Sequence, residues 1–164
     1  MQKLNWREKY AAILVLTIGT IYLIVQVLAF ISSKSEASSI KDGSFVINKS
    51  RNEFYSDIRS FLTIILAIMA GILLFRSKLT GWVIGFSMLL FFLVLSSFGV
   101  ATAVKLKTFD ISFILVATLE VIFLLAVIFL LIPSTLKKYR VSKKTLLPTL
   151  LFFMSITSIY FFLQ

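Results

Sequence analysis

The chain has 164 residues, 59% of them hydrophobic, with a mean hydropathy of +1.01 and a formal net charge of +10. A soluble domain is nearer 45–50% apolar, so composition excludes an ordinary water-soluble fold and predicts an all-α integral membrane protein. It contains no Cys and no His, which excludes a disulfide framework and thiolate chemistry and removes the commonest general base and metal ligand.

The first ten residues, MQKLNWREKY, carry Lys3, Arg7 and Lys9 against Glu8, with Trp6 and Tyr10 suited to a membrane interface. An apolar run at 11–31 follows. It is longer than the h-region of a signal peptide, and no small-residue cleavage site closes it, so it reads as a retained span interrupted mildly by Thr17, Thr20 and Gln26. Residues 33–57 form the one sizeable extramembrane segment, expected outside. Its Ser-rich start predicts flexibility. Lys41-Asp42-Gly43 predicts a turn, and 44–47 could form a short strand. Asn48-Lys49-Ser50 is a formal glycosylation triplet of a kind common by chance.

The second span is expected at 58–75, with Arg59 snorkelling to the interface. The link 76–80 is so short that the third span, 81–104, must be its antiparallel neighbour; Trp82 lies near the interface and Gly99 is a candidate bend. Asp110 can cap a fourth span at 111–132, which Pro133 ends. A basic segment, 134–144, carries Lys137, Lys138, Arg140, Lys143 and Lys144, read as topology anchors and lipid-headgroup contacts. Thr145 is a plausible cap for the last span, 146–163, and Pro148 falls in its first turn. Together these make a single membrane domain, a bundle of five transmembrane helices.

The positive-inside rule gives a direction. With the N-terminus in the cytoplasm, the inner segments 1–10, 76–80 and 134–144 hold ten Lys and Arg with one acid, whereas the outer segments 33–60 and 105–110 hold seven with five acids. The expected orientation is N-terminus cytoplasmic and C-terminus outside, in a cell membrane.

Glu120 is the one charged-type residue inside 111–132. A helix of that length spans about 33 Å against a hydrocarbon core of about 30 Å, so Glu120 lies near the midplane, where an acid costs about 2.5–3.5 kcal/mol on insertion scales. Three accounts are open: a neutral acid hydrogen-bonded to hydroxyls or to Gln26, a contact with another membrane subunit, or proton or cation handling. Gln26, Ser96, Ser97, Thr118, Ser155, Thr157 and Ser158 are expected in the outer leaflet just above Glu120. They could line a vestibule or make ordinary hydrogen bonds of about 0.6 kcal/mol each. Ala67-xxx-Gly71 and Gly81-xxx-Gly85 fit the small-xxx-small pattern, read as internal packing of the second and third spans or as dimerisation.

No phosphate-loop, dinucleotide, zinc-protease or serine-hydrolase motif occurs. Asp110 and Glu120 are about 15 Å apart along a helix, too far for a carboxylate pair. No enzyme activity, cofactor, metal or nucleic-acid partner is expected. The partners expected are the bilayer and another membrane protein or a second copy. The function expected is non-catalytic: an accessory, assembly or immunity-type protein acting through helix–helix contacts. The alternative is an oligomeric transporter or channel with Glu120 as a protonatable site.

Overall fold

A computed structural model describes residues 5–37, 51–107 and 109–162. The turn, strand and glycosylation expectations at 41–50 lie outside them. The described chain is all-helical, with α1 Trp6–Ala37, α2 Arg51–Phe75, α3 Leu79–Leu106, α4 Ile111–Leu131, a short α5 Pro133–Lys138 and α6 Lys143–Phe162. Five of these are long and apolar enough to cross a membrane, all but α5. Helices α1 and α2 run well into the 33–57 segment read as a loop, and α5 lies within the segment read as a basic loop.

The turns explain why the elements stop where they do. Ser77 closes α2 in the left-handed region (φ 51°), with Lys78 N–H donating to Leu73 O and Ser77 N–H to Leu74 O. This is a complete Schellman motif, and it lets α3 fold straight back. Arg140 (φ 55°) closes α5 in the same way, through Val141 N–H to Leu136 O and Arg140 N–H to Lys137 O. Such positions usually belong to glycine, yet no described glycine has a positive φ. The glycines work inside helices instead, where they set how closely backbones approach.

A Cβ on Gly81 would lie 2.3 Å from Leu73 C and 2.5 Å from Leu73 O, so α3 rests on the α2 backbone there; one on Gly85 would strike the Leu74 side chain at 2.5 Å. Gly81 and Gly85 therefore do pack the α2–α3 hairpin. Ala67 and Gly71 do not: a Cβ on Gly71 would meet Leu16 at 2.3 Å, and one on Gly19 would meet Ala67 Cβ at 3.1 Å. That pair faces α1, because it lies on the side of α2 turned from α3.

Helix α3 is the centre of the bundle, packing against α1, α2, α4 and α6. Trp82, Met88, Leu89 and Phe91 on it are fully or almost fully buried, and the Trp82 and Phe86 rings stack at 4.9 Å. Helix α6 packs chiefly against α3, held by Ser87 Oγ donating to Thr149 O at 3.2 Å. Elsewhere the apolar side chains point outward: Val25, Leu28, Ile114, Leu147 and Leu150 are each more than half exposed. That pattern suits a hydrocarbon solvent and would be an aggregation surface in water.

Capping departs from expectation at α6. The helix starts at Lys143, Ser142 precedes it, and Ser142 N–H donates to Thr145 Oγ1 at 3.3 Å. Ser142 thus stands at the cap position, and Thr145, inside the first turn, supplies half of a capping box through its hydroxyl. Pro148 consequently lies in the second turn rather than the first, and Lys144 O loses its ladder donor. Asp110 does cap α4, accepting from Phe113 N–H at 3.1 Å. The Ser112 hydroxyl, and then that N–H, hold its carboxyl below the usual carboxylate range.

Candidate functional site

Glu120 lies within one residue of the middle of α4, half-buried on the side facing α3. Its Oε1 is 2.7 Å from Ser97 Oγ on α3, and Ser97 Oγ is in turn 2.9 Å from Leu93 O, four residues back. On the same two helices the Phe92 and Phe123 rings stack at 5.7 Å. Oε2 of Glu120 has no hydrogen-bond partner among the described residues, and it is not enclosed. It reaches the surface on the stripe continued by Leu124, Ile128 and Leu131, each more than 40% exposed.

The structure brings Ser97 to Glu120 and leaves the other candidates apart. Gln26 Nε2 donates to Asp57 Oδ1 at 3.1 Å, so Gln26 is held by α2 and does not serve Glu120. That pair lies in the wall of an apolar groove of about 560 Å³ between α1 and α2. Thr118 donates to Ile114 O at 2.7 Å, Ser155 to Leu151 O at 2.8 Å and Thr157 to Phe153 O at 2.9 Å. Ser96 donates to Leu93 O at 2.9 Å, and Ser158 is exposed. The Thr118, Ser155, Thr157 and Ser96 hydroxyls turn back onto their own helices rather than toward a shared path, the usual fate of a lone hydroxyl in a span. Arg59, expected at the interface, has its guanidinium 4.5 Å over the Tyr160 ring of α6.

A second polar centre lies at the end of the bundle that holds the start of α1. Glu8 is fully buried. Its Oε2 accepts from Lys138 Nζ at the end of α5 and from Asn5 N–H at 3.2 Å. The Asn5 contact is half of a capping box, and a carboxylate at the first turn also complements the helix dipole. Oε1 of Glu8 is buried without a partner among the described residues. Lys138 is therefore an ion-pair partner inside the protein, in place of the headgroup anchor expected from its neighbours. Lys137, Arg140, Lys143 and Lys144 are exposed, as anchors would be.

Helix ends converge on this same region, and side chains fill their unsatisfied carbonyls. Trp82 Nε1 donates to Leu130 O at 3.1 Å, Thr135 Oγ1 to Phe129 O at 3.2 Å and the Tyr139 hydroxyl to Leu74 O at 3.1 Å. Phe129 O needs such a donor because Pro133 has no N–H to give it. Trp6 and Tyr10 of α1 meet Phe129 edge-on at 5.2 and 5.6 Å. Burial, and then the Glu8 carboxylate, push the Tyr139 hydroxyl up to about 12, with Ser77 offsetting a part.

Glu8 and Tyr139 were not among the sequence candidates. Asn5-Trp6-Arg7-Glu8 carries the spacing of a capping box, the one signal that could have drawn attention to Glu8. No group of three His, Cys, Asp or Glu side chains gathers among the described residues. The described residues offer two separate polar centres: a structural ion pair at one end, and a mid-helix carboxyl half-exposed beside the apolar outer face of α4. No family model, curated protein or solved structure matches this chain.

Proposed function

We propose that the chain is a small multi-pass protein of a cell membrane, non-catalytic, working as an accessory, assembly or immunity-type protein through helix–helix contacts. In this reading all five long helices cross the bilayer, the N-terminus and the α5 region face the cytoplasm, and the C-terminus faces out.

The observation that carries the reading is the second oxygen of Glu120. It opens, unpartnered among the described residues, onto an apolar stripe of α4 near the midplane. A polar atom in hydrocarbon costs several kcal/mol if left unbonded, and a neighbouring helix is the means a membrane has to satisfy it. Transport through Glu120 draws less support, because Thr118, Ser155 and Thr157 bond within their own helices.

The test is photo-cross-linking in native membranes from probes replacing Leu124 or Ile128, with a probe at the buried Phe123 as control. The expected result is a discrete adduct with one other membrane protein from the first two positions and not from the third. Adducts with lipid alone would defeat the reading.

A further inference from the structure

We infer that the groove between α3 and α6 holds one acyl chain of an anionic phospholipid, whose phosphate rests against Lys78, Lys143 and Lys144 at the groove's mouth. The inference goes beyond the accessory reading and takes from it only that the long helices cross a bilayer.

The groove has a volume of about 350 Å³ and is walled by Phe86 and Leu90 of α3 and by Leu147, Leu150 and Phe153 of α6. The Thr149 hydroxyl, also in the wall, is spent on Thr145 O at 2.8 Å. From Leu146 to Phe153 the groove follows α6 for about 10 Å, inside a leaflet whose hydrocarbon is about 15 Å deep. The two helices run parallel. Ser87 meets Thr149 near their starts, and further along Phe91 meets Tyr160 at 5.1 Å and Phe98 meets Phe161 at 6.1 Å. Lys78 lies nine residues before Ser87, and Lys143 six before Thr149. Their backbones are therefore level to within about 5 Å, on either side of the groove's mouth.

Charge decides what kind of headgroup fits. Lys78, Arg140, Lys143 and Lys144 are all exposed. From 76 to 107 and from 121 to 164 the sequence holds no Asp or Glu, so neither wall of the groove supplies a counter-charge. Glu8, the acid described at this end, is buried against Lys138. A phosphate at the level of the mouth meets cations alone, and a basic pocket between spans is a known setting for anionic headgroups. The larger groove between α1 and α2 has Asp57 in its wall, so the two grooves differ in the charge they offer a headgroup.

The test is tryptophan quenching in nanodiscs by phospholipid brominated on its acyl chains, either phosphatidylglycerol or phosphatidylcholine, in a Trp6→Phe background. Trp82 is then the sole reporter. It lies one ring from the groove, because Phe86 both lines the groove and stacks on Trp82 at 4.9 Å. The anionic lipid should associate about five-fold or more tightly than the zwitterionic one, the worth of a single lysine near the surface. Lys143→Gln with Lys144→Gln should bring that ratio close to one. Arg7→Gln with Lys9→Gln removes the same charge from α1 and should leave it standing. Equal quenching by the two lipids, or equal loss in the two double variants, overturns the inference and leaves the bilayer reading intact. Quenching by neither lipid overturns it as well. A dimer by native mass spectrometry would then give the groove to a second copy, whereas strong quenching by aqueous iodide would remove the bilayer reading too.

Discussion

Removing Lys138 should damage this protein more than its place in a basic segment suggests. Glu8 is 0% exposed and the Lys138 side chain 11% exposed. In Lys138→Met the acid keeps one donor, the Asn5 N–H, while Oε1 remains without one. Stripping a buried acid of its counter-charge costs about 3–5 kcal/mol. Glu8→Gln should cost less, about 1–3 kcal/mol, because a carboxamide oxygen still accepts from Asn5 and the Lys138 ammonium retains some access to solvent. The double variant should recover at least about 2 kcal/mol of the summed losses, the mark of direct coupling. The assay is detergent unfolding followed by tryptophan emission. Both tryptophans of the chain report on this end of the bundle, Trp6 against Phe129 and Trp82 against Leu130. A Lys138→Met protein within 1 kcal/mol of the parent, or a cycle with no coupling, would refute a buried, interdependent pair.

Three further outcomes follow from the packing and from Tyr139. Gly81→Ala should open the α2–α3 hairpin and cost about 3 kcal/mol or more, since the new Cβ would meet Leu73 backbone atoms at 2.3–2.5 Å and backbone cannot step aside. Gly99→Ala should be neutral or stabilising by up to about 1 kcal/mol in the same unfolding assay, because its Cβ would touch Val116 Cγ1 alone, at 3.1 Å, and alanine is the better helix former. Tyr139 is held in its neutral form, up to about 12. A raised value contributes stability that is complete below the ordinary value near 10 and is lost as pH climbs from there to about 12. Tyr139→Phe should remove that part of the alkaline loss, measured as the difference between the two proteins' unfolding curves across that window; parallel curves would refute it.

The five long helices were legible in the sequence because each is a long apolar block bounded by charge, proline or a cap, and those are local signals. Asp110 could be named as a cap for the same reason: the N–H it serves is three residues away. What was not legible depends on rotation and on distance along the chain. Ala67 and Gly71 read as part of the α2–α3 hairpin, but which neighbour a small-residue face meets is decided by how α2 is turned in the bundle, and it is turned to α1. Gln26 and a hydroxyl both looked like possible partners for Glu120 by depth. Depth places residues at a level but not on a side, and Gln26 is held by Asp57 while Glu120 is met by Ser97. Glu8 looked like one more charge in a polar start. Its burial arises from Lys138, Tyr139 and the α4–α5 elbow, none of which sequence proximity could supply.

The Glu8–Lys138 bridge joins residues 130 positions apart. The first turn of α1 leaves the ribosome long before its ammonium partner does, and until then the acid lacks Lys138. Closing the bridge requires the α2–α3 hairpin, α4 and the α4–α5 elbow, which lie between its two ends, to be in place. A chain cut short before α5 therefore displays the Glu8 carboxyl without its Lys138 ammonium, a physical mark by which incomplete biogenesis differs from the finished molecule.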